Sequence, residues 1–112
     1  MYARVTQFRI APEKVAEFVA AFQAAVPHAR QQKGYRALMA LRAGGRSAED
    51  IRVISVWNSP EDLAASEQNF YLYQALAKCM TFSKGFPLME GQEVLASDFP
   101  AEHTFSADET QF

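Results

Sequence analysis

The chain has 112 residues, 49% of them hydrophobic, and a formal net charge of −2 at pH 7, which suits one globular domain with its own core. The charges are scattered and form no basic stripe, so nucleic-acid binding is not expected. No apolar run approaches the ~20 residues that cross a bilayer, and the N-terminus lacks the pattern of a secretory signal. We therefore expect no membrane partner. With Cys79 as the only cysteine, no intrachain disulfide can form, and we expect a cytoplasmic protein.

The first third of the chain predicts a strand and a helix. Tyr2–Ile10 mixes β-branched and aromatic residues, as strands do. Its apolar residues change parity between Val5 and Phe8, so we expect a β-bulge between them. Pro12 then opens an amphipathic helix, and Gly34 is placed to cap its end. The apolar positions of this helix are Val15, Phe18, Val19, Phe22 and Val26.

The middle of the chain predicts a β-hairpin. Tyr35–Arg42 is the second strand, and the polar turn Ala43–Asp50 joins it to a third strand that ends in Trp57. The third strand is apolar on both parities, whereas a half-exposed strand would alternate apolar with polar residues. We therefore expect both faces of the sheet to be covered.

Two helices should follow the third strand. Ser59 is a helix cap, Pro60 takes the first helical position, and Asp62 completes a near capping box. Asn69 is placed to cap a second helix that runs from Phe70 to about Lys78. We expect its aromatic residues to lie in the core by default. Since Tyr71 and Tyr73 cannot share one face, one of them should face the core and the other should lie on the surface or at the rim of a pocket.

The end of the chain predicts a last strand and a tail. The strand lies within Phe86–Phe99, and Gly91 marks a break or bulge in it. The remaining segment is polar and acidic. We therefore expect one domain over residues 1–99 and a C-terminal tail over residues 100–112.

The predicted order β-α-β-β-α-β indicates a ferredoxin-like α+β fold, with an antiparallel sheet and the helices on one of its faces. The second and third strands are apolar on the other face as well. A monomer rarely leaves an apolar patch of that size in water. We therefore expect a homodimer that packs sheet against sheet.

With this element order, the segment Val56–Glu61 and the turn Lys33–Tyr35, the chain resembles the antibiotic biosynthesis monooxygenase family from about Met1 to Phe99. The resemblance implies a dimeric α+β barrel. The family includes cofactor-free oxygenases of polycyclic phenols, haem-degrading enzymes and small-signal-processing proteins, so the resemblance says more about architecture than about reaction.

The haem-degrading branch is disfavoured by the residues that its pattern requires. That pattern implies an Asn on the first strand, where this chain has Thr6 and Gln7. It also implies a second Trp and an iron-binding His in the helical region, but Ser59–Ser83 contains neither. The histidines are His28, in the first helix, and His103, in the tail. No motif for a metal or an organic cofactor is present, and we expect none.

The resemblance therefore favours a monooxygenase that uses no metal or organic cofactor and acts on a small phenol or quinol. Such an enzyme needs a base, a flat apolar slot and donors for an oxyanion. The candidates are His28 as base, Trp57 as stacking residue, Asn58 as donor, and Tyr73. Each also has a commoner structural role: helix end, core packing, cap and core. The alternative is a dimer that binds a small aromatic ligand without catalysis.

Overall fold

The computed structural model describes residues 1–44 and 49–98, so the predicted tail at 100–112 lies outside the described part. A short 3₁₀ turn, Pro12–Lys14, precedes the first helix. The strands and helices are β1 (Tyr2–Arg9), α1 (Val15–Arg30), β2 (Tyr35–Arg42), β3 (Asp50–Trp57), α2 (Pro60–Ser66), α3 (Phe70–Met80) and β4 (Leu88–Glu93).

The four strands form an antiparallel sheet in the order β2-β3-β1-β4. This order, with the helical segments after β1 and β3, is the ferredoxin-like α+β fold, which confirms the predicted fold class. Over residues 1–44 and 49–98, no helix has both the length and the apolar character needed to cross a membrane.

Two predicted caps fix where the helices after β3 begin. The Ser59 hydroxyl accepts a hydrogen bond from the backbone N–H of Asp62 at 3.1 Å, which starts α2 directly after the strand. The Asn69 side chain accepts one from the N–H of Leu72 at 2.9 Å and starts α3. The turn after α1 ends at Gly34, whose φ is 81°.

The predicted bulge in β1 was wrong. β1 pairs with β3 in unbroken register from Tyr2 opposite Trp57 to Arg9 opposite Asp50. Val5 and Phe8 lie on opposite faces because each face needs its own apolar residues. The register shift in this sheet lies in β2 instead, between Tyr35 and Ala37.

Gly91 does not break β4, contrary to prediction. The strand pairs continuously with β1, with Gly91 opposite Arg4. A Cβ atom at position 91 would collide with the side chain of Tyr2. A side chain at this position would require the ring of Tyr2, which crosses the strand, to shift, whereas the ladder itself is not interrupted.

The core lies between α1 and the helix-facing side of the sheet. The rings of Phe8 and Phe18 meet edge to face at 5.2 Å between centroids. α3 packs on α1 through Leu72, which contacts Ala25 and Ala29. The larger buried cluster contains Phe8, Ile10, Phe18, Ala21, Ile51 and Cys79.

The expectation that the aromatic residues of α3 lie in the core was wrong. Phe70, Tyr71 and Tyr73 are 63–64% exposed, whereas Leu72 and Cys79 are buried. Leu72 and Cys79 are seven residues apart, or about two helical turns, and therefore lie on the same face of α3, which meets α1. The three aromatic residues lie on other faces of the helix.

Candidate functional site

A cavity of about 410 Å³ lies between the sheet and the helices. Strand parity builds its floor, because alternate residues of β1 and β3 point toward the helices. The floor residues are Arg4, Thr6, Phe8, Val53, Ser55 and Trp57. Most of the remaining walls come from α1, α2 and α3 and are mostly apolar, including Phe22, Leu72 and Leu76, while β2 and β4 add Leu38 and Met89. This lining suits an apolar ligand.

Trp57 ends β3 and is only 3% exposed. Its ring meets that of Tyr35 edge to face, with centroids 5.8 Å apart. The indole N–H is buried and has no hydrogen-bond acceptor among the described residues. A buried donor without an acceptor costs about 1–3 kcal/mol. The nitrogen atom has almost no exposed surface, so a ligand in the cavity would reach this N–H only after the side chain moves.

Polar atoms collect where the sheet meets the end of α2. Arg4 Nη1 and Glu67 Oε1 form an ion pair at 2.6 Å. Ser55 lies opposite Arg4 in the strand register. The Ser66 hydroxyl donates its proton to the carbonyl oxygen of Leu63 at 2.6 Å, so this proton is not available to a ligand. The cavity therefore has one polar end and an apolar remainder.

Cys79 contributes to the cavity wall and is buried. Burial raises the pKa of its thiol to about 11. The thiol is therefore protonated near neutral pH and is a poor nucleophile. Its place in the buried cluster indicates a structural role.

The structure brings two of the four predicted site residues to the cavity. Trp57 and Tyr73 both line it, with Tyr73 at the exposed rim. His28 lies outside this lining and stacks on Tyr71 with ring centroids 6.0 Å apart. Asn58 also lies outside it, and its side-chain oxygen accepts a hydrogen bond from Arg36 at 3.2 Å. The functional roles of these four residues stay predictions.

Arg4, Ser55 and Glu67 line the cavity but were not predicted as site residues from the sequence. The parity of β1 carried a usable signal for Arg4, because position 4 shares its face with Phe8, and a charge on a core-facing parity is unusual. Glu67 carried no such signal, because its position depends on how the end of α2 packs over the sheet. Within residues 1–44 and 49–98, no group of three or more His, Cys, Asp or Glu side chains is placed to hold a metal ion.

Comparison with protein families gives a match over residues 1–78, to the antibiotic biosynthesis monooxygenase family. The chain belongs to this family. The match covers β1 through most of α3 and therefore nearly all of the elements that enclose the cavity. It confirms the resemblance seen in the sequence.

Several solved structures share this fold, although their sequences are only distantly similar to that of this family member. SnoaB from Streptomyces nogalater, described as a cofactor-independent oxygenase, is 14% identical over 87% of this chain and 95% of its own, with a TM-score of 0.74. A Nitrosomonas europaea protein of unknown function is 22% identical over 90% of this chain and 95% of its own, with a TM-score of 0.72.

A third structure, Rv0793 from Mycobacterium tuberculosis, is 12% identical over 87% of this chain and 97% of its own, with a TM-score of 0.72. At these identities the likeness establishes the fold and not the reaction. A comparison with curated protein sequences gives no match.

Proposed function

We propose that this family member is a monooxygenase that uses no metal or organic cofactor and oxidises a small phenol or quinol. The observation that carries the proposal is the cavity itself: a mostly apolar slot of about 410 Å³ whose wall includes Trp57. The apolar walls, Trp57 among them, suit the ring system of a phenol or quinol.

The chemistry needs little from the protein because the substrate supplies the electrons. Deprotonation of a phenol makes its ring carbon electron-rich enough to reduce O₂ and form a carbon–oxygen bond. Cleavage of the oxygen–oxygen bond then leaves one oxygen atom in the product, and the other leaves as water with two substrate hydrogens.

The test is oxygen uptake by purified protein with an electron-rich phenol or hydroquinone, without added metal, flavin or haem. We expect uptake above the buffer rate, and we expect Trp57→Phe to reduce it because the smaller ring changes the cavity wall. Gln74→Ala is the matched control, because Gln74 is exposed on α3 and lies outside the cavity lining. Buffer-level uptake with every phenol and quinol tested would contradict the proposal.

The role of His28 as general base stays a prediction and can be tested in the same assay. If His28 removes the substrate proton, His28→Ala should lower the rate by about 10²–10⁴-fold and flatten the rise of rate with pH. Unchanged turnover would remove His28 from the mechanism. The search for a base would then turn to Tyr73 and Glu67, which line the cavity.

The second candidate is a dimer that binds a small aromatic ligand without converting it. The observation that favours it is the acid–base content of the lining. No histidine lies in the described lining, and the raised pKa of the Cys79 thiol keeps that group neutral. Recovery of a bound phenol unchanged after incubation under oxygen would support this candidate over the oxygenase.

We also propose that the protein acts as a homodimer in the cytoplasm. The sheet face away from the helices carries Val5, Met39 and Ile54, which are only half-buried within one chain. Leu41, on the same face, is 48% exposed. A second copy packed sheet to sheet would cover these residues. The free Cys79 thiol is consistent with a reducing compartment.

A further inference from the structure

The cavity has one ion pair on its boundary, between the floor of the sheet and the end of α2. Arg4 and Glu67 are the only charged side chains among the described residues that line it. Their side chains are 31% and 44% exposed, so the pair lies where the cavity meets solvent. Any ligand that fills the polar end of the cavity must lie next to this pair.

Stability alone does not account for Arg4 at this position. Partly exposed ion pairs contribute little to folding, because solvent screens the charges and two long side chains lose freedom. Position 4 lies on the core-facing parity of β1, where an apolar side chain would bury more surface, as Phe8 does four residues later. A charge kept on the floor of a cavity instead points to a ligand.

Arg4 has N–H donors that form no hydrogen bond with any described residue. A guanidinium group carries five N–H donors in a planar fork, and Glu67 is its only partner among the described residues. Tyr2 lies opposite Trp57 and Arg4 lies opposite Ser55, so Arg4 and Trp57 are diagonal neighbours on adjacent strands. The unused donors of Arg4 therefore lie beside the part of the cavity wall that Trp57 forms.

We infer that Arg4 is a specificity-determining residue, which selects flat aromatic ligands that carry an anionic oxygen, as a carboxylate or an ionised phenol. The guanidinium group binds anionic oxygen more strongly than neutral oxygen, because the hydrogen bond is charge-assisted. The aromatic body of the ligand would pack against Phe22, Leu72 and Leu76. This inference rests on the proposed function only in taking the cavity as the ligand site, and it applies equally to a ligand-binding protein without catalysis.

The test compares two probes that share a ring system and differ in charge: 2-naphthoate, which is anionic at pH 7, and 2-naphthamide, which is neutral. Dissociation constants are measured by titration calorimetry, and the fluorescence of Trp57, the only tryptophan, reports whether each probe reaches the cavity. We expect the wild-type protein to bind 2-naphthoate more tightly. Arg4→Gln should weaken 2-naphthoate roughly tenfold, the loss of one charge-assisted hydrogen bond, and leave 2-naphthamide within about twofold.

The variant Glu67→Gln tests whether Arg4 selects the ligand or whether its ion pair only holds α2 over the sheet. If Arg4 selects the ligand, removing the competing carboxylate should tighten 2-naphthoate binding by about two- to tenfold, opposite to the effect of Arg4→Gln. If the ion pair only holds α2 over the sheet, both variants break the same contact and should weaken both probes alike, which would overturn the inference.

Equal wild-type affinity for the two probes, or no binding of 2-naphthoate, would also overturn the inference. Arg9→Gln is the matched control, because Arg9 forms its ion pair with Glu49 at 3.8 Å, away from the cavity lining. The calorimetry needs no oxygen chemistry. If oxygen uptake is observed but the protein does not prefer 2-naphthoate, only the role of Arg4 is contradicted. If the protein prefers 2-naphthoate but takes up no oxygen, only the proposed oxygenase is contradicted.

Discussion

Trp57 combines two roles at the residue scale, since it is buried in the core and also lines the cavity. We expect Trp57→Ala to lower the free energy of unfolding by about 3–5 kcal/mol, as for other large buried aromatic residues. Trp57→Phe should cost much less, because it keeps most of the packing and removes a donor that has no acceptor within the described chain. Chemical denaturation of both variants measures the difference, and equal losses would mean that the indole N–H has a partner in the folded protein.

Cys79 gives a pH prediction at the same scale. Its folded pKa, about 11, is raised above the ordinary value of 9.0 by burial. Between these values the unfolded chain loses the thiol proton and the folded chain keeps it, so folding stability should fall as the pH rises from about 9 toward 11. Below about pH 8, one unit under the unfolded pKa, the thiol is almost fully protonated in both states and contributes almost no slope.

The measurement for Cys79 is the denaturation midpoint as a function of pH, with Cys79→Ala as the comparison. Part of the alkaline loss should disappear in the variant, while losses from lysine and tyrosine side chains remain in both proteins. Parallel profiles for the two proteins would show that the thiol does not contribute. A thiol reagent at pH 7.5 should also modify the native protein far more slowly than the unfolded one.

At the element scale, the turn after α1 depends on Gly34. Its φ of 81° is strained for any residue with a Cβ, and an added Cβ would also collide with the side chain of Asp62 in the first turn of α2. Gly85 has a similar φ of 80°, with nothing within 4 Å of the same added atom. We expect Gly85→Ala to cost about 1–2 kcal/mol from the backbone alone, and Gly34→Ala to cost more.

The difference between these two variants isolates the packing of Gly34 against α2. Gly44→Ala is the control, because Gly44 has no positive φ and no neighbour within 4 Å of an added Cβ. Its stability should change by no more than about 0.5 kcal/mol. Thermal unfolding of the three variants under one condition gives the comparison. Equal costs at positions 34 and 85 would show that Asp62 moves aside freely.

At the scale of the whole molecule, the proposed dimer makes a direct prediction. Sedimentation of the wild-type protein at micromolar concentration should show a dimer, with an interface above about 2,000 Å² as in obligate pairs. Ile54→Asp, on the sheet face away from the helices, should yield monomer or aggregate, because it places a charge at the centre of the apolar contact. Gln23→Asp, at an exposed position of α1, should leave the dimer intact. A wild-type monomer would contradict the proposal.

Local chemistry in the sequence determined the element order, the fold class and the caps at Ser59 and Asn69, because a cap bonds to an N–H only three residues away. Tertiary structure decided what depends on pairing between distant segments. The ring of Tyr2 crosses β4 at Gly91, and Leu72 takes the inward face of α3 in place of its aromatic neighbours. Arg4 meets Glu67 only because α2 ends above β1. These contacts join residues far apart in the chain, so no local pattern specifies them, and the cavity is made of such contacts.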